Sequence, residues 1–237
     1  MTLREFFINA PKGCDKWDRY FDVYETRFAK YKGKDVTFVE VGVQNGGSIE
    51  IWSQYFGPNS KLYGIDIDPK CAELKFDNPN IEIIIGDQSL PEFWDETLAK
   101  IGNIDVFIDD GGHHNNQQIV TFNKAFPLIN VGGIFVIEDT HTSYWPEYEG
   151  GLHHVTSFTE YCKNFADVVN SMHYDAVQDN SDLIIAKSVA SNISSVSFYD
   201  SMIVLEKDNL VPMRRLANKH TPVDNDIQHD SFKQVYV

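Results

Sequence analysis

The feature that most constrains the fold is an alternation. Five short runs of β type, Val36–Val41, Lys61–Ile65, Ile81–Ile85, Val106–Ile108 and Gly133–Ile137, are separated by segments that read as helices near Gly47–Tyr55, Leu90–Ala99, Asn116–Phe126 and Ser157–Asn164. Strands alternating with helices predict βαβ units and a mostly parallel sheet, hence an α/β domain. Two further runs, Ser194–Tyr199 and Met202–Lys207, flank Asp200-Ser201 and predict a hairpin that adds an antiparallel strand to that sheet. Asp182–Ala186 reads as another strand of open placement.

The strand ends carry the chemistry. In open α/β sheets ligands bind in the crevice beyond the carboxyl ends of the strands. Val106-Phe107-Ile108-Asp109-Asp110-Gly111-Gly112-His113 delivers two carboxylates, a glycine pair and an imidazole at one such end. Gly133-Ile134-Phe135-Val136-Ile137-Glu138-Asp139 delivers two more acids at another. Acids beside an imidazole suit a hard divalent cation next to a general base. The plainer reading is that Asp109 or Asp110 caps the helix that follows, an ordinary role for aspartate. Alternation along a strand turns Asp109 away from Asp110, which makes Asp109 the weaker ligand candidate.

The first strand runs through Phe38-Val39-Glu40-Val41 into Gly42-Val43-Gln44-Asn45-Gly46-Gly47-Ser48. A strand entering a glycine-rich turn and then a helix lets backbone approach a ligand closely. The turn has neither the G-x-G-x-x-G spacing of a dinucleotide site nor the Gly-Lys-Ser/Thr of a triphosphate loop. Glu40, near the end of a buried strand, calls for a cationic or hydrogen-bonding partner, and S-adenosylmethionine offers an ammonium and a sulfonium. Asp66 ends the second run about twenty residues past the glycine turn, placed to accept bonds from ribose hydroxyls. Asp87-Gln88 follows the third, where an aspartate can accept from an adenine amino group. Acids after three successive strands favour S-adenosylmethionine over NAD.

Composition narrows the partners. The 237 residues include 35 acidic and 20 basic side chains, a formal charge of -15 that repels phosphate backbones and argues against nucleic acid. At 42% hydrophobic and 13% aromatic the chain has ample material for a core. No run reaches the roughly 18 apolar residues of a membrane span, and Met1-Thr2-Leu3-Arg4-Glu5 lacks a signal-peptide layout. Cys14, Cys71 and Cys162 are too far apart for a metal cluster and read as reduced thiols, so a cytoplasmic enzyme is expected. Trp17, Tyr20, Phe21, Tyr24 and Phe28 stand at helical spacings within residues 15–33 and predict an amphipathic helix, mostly core-facing, with Tyr20 or Tyr24 free to face a pocket.

Taken together, Asp15-Lys16-Trp17, Glu40 to Ser48, Tyr63 to Pro69, Gly86-Asp87-Gln88, Ile108 to His113, Glu138 to Trp145 and Phe198 to Ser201 resemble the class I methyltransferases. Within that class they resemble the metal-dependent sugar O-methyltransferases of macrolide biosynthesis. The resemblance implies a Rossmann-like, seven-stranded, mostly parallel sheet with an antiparallel C-terminal hairpin. The resemblance covers about residues 15–215; the chain itself divides into a helical extension over residues 1–35 that is expected to cover the active site, a catalytic domain over 36–219 and a polar tail over 220–237. S-adenosylmethionine would be held by Glu40, Gly42, Gln44, Gly46, Ser48, Asp66, Asp87 and Gln88, and Mg²⁺ by Asp110, Glu138 and Asp139. His113 would act as general base on a hydroxyl of a sugar or glycosylated small molecule, an imidazole being suited to that exchange. Methylation of an amine or a non-sugar hydroxyl, or a non-catalytic accessory role, are the competing readings. A homo-oligomer is compatible with all of them. His141, Tyr144 and Trp145 stand either as an acceptor wall or as loop packing, and His153-His154 read as surface residues.

Overall fold

The computed structural model describes residues 2–171, 192–209, 211, 215–217 and 234–236. The Asp182–Ala186 run and all of residues 220–233 lie outside the described residues. Two N-terminal helices, α1 (Leu3–Ile8) and α2 (Tyr20–Arg27), precede the alternating part. That part runs β1 (Thr37–Val41), α3 (Gly47–Tyr55), β2 (Lys61–Asp66), β3 (Ile81–Ile85), α4 (Pro91–Ile101), β4 (Ile104–Asp109), α5 (Asn115–Ala125) and β5 (Ile129–Ile137). Helices α6 (Phe158–Lys163) and α7 (Phe165–Val169) follow, then the hairpin β6 (Ile193–Tyr199) and β7 (Met202–Lys207). Two short strands, Arg215–Ala217 and Gln234–Tyr236, pair in parallel in a separate sheet.

The main sheet has seven strands in the order β3-β2-β1-β4-β5-β7-β6. The first five are parallel, and β7 is antiparallel to both β5 and β6. Strand order reverses between β1 and β4, so the ends of those two strands open the crevice where such sheets bind ligands.

Period-2 alternation sorts every strand residue to one face. Phe38, Val106, Ile108, Ile134 and Val136 share one core cluster with α2 and α3 residues such as Tyr24 and Trp52. Val39, Val41, Phe107, Phe135 and Ile137 share the other with Trp94, Phe122 and Phe158 from α4, α5 and α6. The register pairs Phe107 with Phe135, whose rings stack at 4.4 Å. The same register aligns Glu40, Ile108 and Val136, so Glu40, Asp110 and Glu138 all belong to the face that α2 covers, while Asp109 belongs to the opposite one.

Two boundaries differ from the sequence expectation. The helix expected within residues 15–33 is confined to α2 and a 3-10 turn at Ala29–Tyr31. Residues 13–17 are irregular because Lys16 and Trp17 are drawn across the strand ends to the acids there. Strand β5 begins at Ile129 rather than Gly133. Gly132, at φ 82°, absorbs a register shift against β4 and lets pairing start earlier.

Candidate active site

Three strand ends turn through the left-handed region on residues that are not glycine: Gln44 (φ 52°) after β1, His113 (φ 58°) after β4 and Asp139 (φ 52°) after β5. Each such residue costs of order 1–3 kcal/mol, and such strain clusters at functional sites. Gly42, at φ 91°, lies so close to the end of β4 that a Cβ would collide with the carbonyl oxygen of Asp110. Asp66 shapes the β1 turn: its carboxylate accepts the N–H groups of Val43 at 2.8 Å, Gln44 at 2.9 Å and Asp68 at 2.9 Å.

A cavity of about 540 Å³ opens over these turns, lined by Gly42, Gln44, Ser48 and Asp66 together with Asp110 and His113. A second cavity, of about 430 Å³, is lined by Trp17, Tyr20, Glu138 and His141. Asp15, Lys16, Asp110 and Asp139 line both and so stand on the partition between them. A cleft of about 160 Å³ beside the first is lined by Asp66, Asp87 and Gln88. An aromatic cleft of about 580 Å³ adjoins the second, between Trp17, Tyr20, His141 and Trp145.

The sequence-predicted residues divide by where their side chains go. Gly42, Gln44, Ser48 and Asp66 line the first cavity, and Asp87 the small cleft. Glu40 does not line the cavity: it is fully buried, accepts from the Ser48 hydroxyl at 2.5 Å and faces Lys16. Burial pushes the Glu40 carboxyl up to about 7. Gly46 (φ 80°) precedes α3 where a Cβ would collide with the Phe76 ring, outside the lining. Gln88 is buried, and its amide donates to Asp109 at 3.1 Å and Thr121 at 3.1 Å while accepting from the Gly112 N–H at 2.8 Å. Asp109 is fully buried in that network, where burial raises its carboxyl to about 6. It is structural, as alternation along β4 predicts.

Asp110, His113 and Asp139 converge: each offers an atom, and those atoms all lie within 4.8 Å of one another. Nε2 of His113 stands 3.5 Å from Asp139, and its Nδ1 is buried with no hydrogen-bond partner among the described residues. The His113 carbonyl accepts from the Thr142 hydroxyl at 2.8 Å, joining its turn to the segment after β5. Glu138 lies behind the trio, buried, bonded by the Tyr24 hydroxyl and by Lys16 at 2.9 Å to each oxygen. Its burial, reinforced by the charge of Asp110, raises its carboxyl to about 8. The hard carboxylate oxygens of Asp110 and Asp139, with Glu138 adjacent, fit a Mg²⁺-type ion, which takes few protein ligands and keeps other positions open.

Lys16, Trp17, Tyr20 and Tyr24 also belong to this site; the sequence offered Tyr20 or Tyr24 to a pocket and placed Lys16-Trp17 in the resemblance, but assigned none of the four a role. The Lys16 ammonium is buried against Asp110, Glu138 and Glu40. Burial opposes its charge, but those carboxylates outweigh it and hold its pKa above the ordinary lysine value. Trp17 donates from Nε1 to Asp139 at 3.0 Å. Tyr20 and Tyr24 stand four apart on α2, a spacing that puts both side chains on one side of the helix and was the available signal for them; Lys16 lies in the irregular segment before it. Among the histidines, His141 stands 3.9 Å from Asp139 and edge-on to Trp145, whereas His153 and His154 are exposed, as expected.

Comparison with known proteins agrees with this geometry. A methyltransferase-domain family model matches residues 39–140, from β1 to just past the acids of β5. The chain is 31% identical over 205 residues, 82% of its length, to 8-demethyl-8-alpha-L-rhamnosyl tetracenomycin-C 2'-O-methyltransferase of Streptomyces olivaceus, covering 52% of that protein. It is 37% identical over 134 residues, 54% of its length, to mycinamicin VI 2''-O-methyltransferase of Micromonospora griseorubida, covering 33% of it. The structure of the MycE methyltransferase from the mycinamycin pathway, in complex with Mg and SAH, superposes with a TM-score of 0.72 at 28% identity, over 87% of this chain and 53% of that one. The chain thus spans about half, or less, of the length of these relatives. Residues 39–140 match the methyltransferase-domain family, and the chain is similar to the macrolide- and tetracenomycin-sugar O-methyltransferases.

Proposed function

We propose that the chain is an S-adenosylmethionine- and Mg²⁺-dependent O-methyltransferase acting on a hydroxyl of a sugar or glycosylated small molecule. The observation that carries this is the partition: Asp110 and Asp139 stand between two cavities, with His113 beside them. A donor in one cavity and an acceptor in the other would meet at those residues. Similarity to sugar O-methyltransferases, and to a structure in complex with Mg and SAH, supports the reading.

The donor role falls to Gly42, Gln44, Ser48 and Asp66 in the first cavity, with Asp87 and Gln88 toward the adenine. Glu40 acts through Ser48, and Gly46 through the entry to α3. About 540 Å³ lies within the range of small-molecule sites. Asp110 and Asp139, with Glu138 behind them, are the residues that would hold Mg²⁺. When bound, that ion makes an acceptor hydroxyl more acidic and fixes its orientation. His113 takes the proton released as the oxygen attacks the donor methyl, and Asp139, 3.5 Å from Nε2, steadies the resulting imidazolium. Tyr20 and Trp17 orient Asp139, and Thr142 fixes the turn that carries His113. The partition contributes by orientation, bringing oxygen, methyl and leaving sulfur into line.

The test uses purified protein with S-adenosylmethionine and a panel of glycosides. Transfer to a sugar hydroxyl that stops with chelator, and that Asp110→Asn and His113→Ala each reduce at least about 100-fold while donor binding persists, is the expected result. Chelator-insensitive transfer to an amine points to the competing reaction. A protein that binds neither donor nor Mg²⁺ refutes catalysis.

A further inference from the structure

Lys16 is a buried cation standing among the carboxylates assigned to a cation. Its Nζ bonds Asp110 and, at 2.9 Å each, both oxygens of Glu138. It also lies 3.9 Å from Oε1 of Glu40, with both side chains almost wholly enclosed. Glu40 Oε1 accepts from Ser48 and the Trp52 indole is a further hydrogen-bonding neighbour of the carboxylate, while Oε2 is buried with no close hydrogen bond among the described residues. A buried acceptor without a partner is a standing cost that a nearby donor relieves.

Two cations cannot share the same oxygens at contact distance, because their repulsion is strong in a low-dielectric interior. An ion that takes Asp110 and Glu138 therefore displaces the ammonium from them. Glu40 lies next to the ammonium and has an oxygen to spare. We propose that Lys16 is a positioning residue with two seats: between Asp110 and Glu138 while no divalent ion is bound, and on Glu40 once one enters. The inference rests on the Mg²⁺-dependent reading above.

The second seat reaches the donor cavity. Glu40 is bonded to Ser48, which lines that cavity together with Gly13, Cys14 and Lys16. Movement of Lys16 thus changes a donor contact whenever the ion binds. By linkage the two affinities change by the same factor in both directions.

Mn²⁺ affinity, read by paramagnetic resonance or calorimetry without turnover, tests the idea. Lys16→Met removes the internal competitor and is expected to tighten Mn²⁺ by roughly 10-fold, within the usual range of coupling between sites. Glu40→Gln weakens the second seat and is expected to loosen Mn²⁺ severalfold. Opposite shifts are something simple loss of structure does not produce. Mn²⁺ is also expected to change S-adenosylhomocysteine affinity in the wild-type protein and to cease doing so in Lys16→Met. Unchanged or weaker Mn²⁺ binding in Lys16→Met overturns the inference alone. A wild-type protein that takes up no Mn²⁺ overturns both the inference and the metal reading. Should Lys16→Met fail to fold, Glu40→Gln decides: Mn²⁺ affinity equal to wild type or higher rejects the second seat.

Discussion

The Tyr20 hydroxyl donates to Oδ1 of Asp139 at 2.7 Å and accepts the backbone N–H of the same aspartate at 3.0 Å. One phenol thus fixes both the carboxylate and the left-handed backbone that presents it. Groups that orient a metal ligand typically matter 10- to 100-fold in affinity or activity. Tyr20→Phe is expected to lower Mg²⁺-dependent transfer by roughly 10-fold or more while the protein stays folded. Kinetics across a Mg²⁺ titration, beside a melting curve, check it; wild-type kinetics would show that Asp139 needs no such support.

Gly42 and Gly33 separate two consequences of adding a Cβ. Both have positive φ, 91° and 69°, but only Gly42 would meet neighbouring backbone, while Gly33 has nothing within 4 Å. Gly33→Ala is expected to cost about 1 kcal/mol from backbone strain. Gly42→Ala adds the collision with Asp110 and is expected to cost at least about 2 kcal/mol more and to abolish donor binding. Equal melting shifts for the two variants would refute the close approach of β1 and β4.

Gln88 holds Asp109 in the core and the Gly112 N–H above it. Gln88→Ala leaves that buried carboxylate short of donors and is expected to destabilise the protein by about 1–3 kcal/mol. Because the released turn carries His113, turnover should fall more than donor affinity. Chemical denaturation and donor calorimetry together measure both effects.

Stability of the metal-free protein is expected to fall as pH rises. Burial lifts Asp109 to about 6, Glu40 to about 7 and, with help from the Asp110 charge, Glu138 to about 8. The folded chain therefore keeps protons that the unfolded chain has released by about pH 5. Their stabilisation is complete below the unfolded pKa values and is lost as pH climbs through the folded ones. Melting curves in chelator at pH 5 and pH 8.5 should show the decline, and Glu138→Gln should flatten its upper part. A melting point that rises across that interval would contradict it.

The fold was legible because each strand run carries its own period and each ends in turn chemistry. Alternation also separated Asp109 from Asp110, and the structure places them on opposite faces of β4. Glu40 was legible only in part: a buried acid advertises that it needs a cation or a donor but not which one, and here an ammonium from the same chain and the Ser48 hydroxyl stand beside it. The role of residues 16–24 was obscured because aromatics at helical spacing look the same whether a ring packs only in the core or also extends its hydroxyl to a carboxylate. Tyr24 does both, with its ring against Trp52 and its oxygen on Glu138.

The reversed direction of β7 brings the turn at Ser201 to the same end of the sheet as Tyr20, whose hydroxyl lies 2.8 Å from the Ser201 carbonyl oxygen across 181 residues of chain. During synthesis at roughly 5–20 residues per second, Tyr20 would wait about 10–40 s for that turn to be made. The support around Asp139 is therefore among the last things the growing polypeptide can finish. A ribosome-bound fragment ending before the hairpin could hold the five parallel strands and still lack a complete metal-side wall.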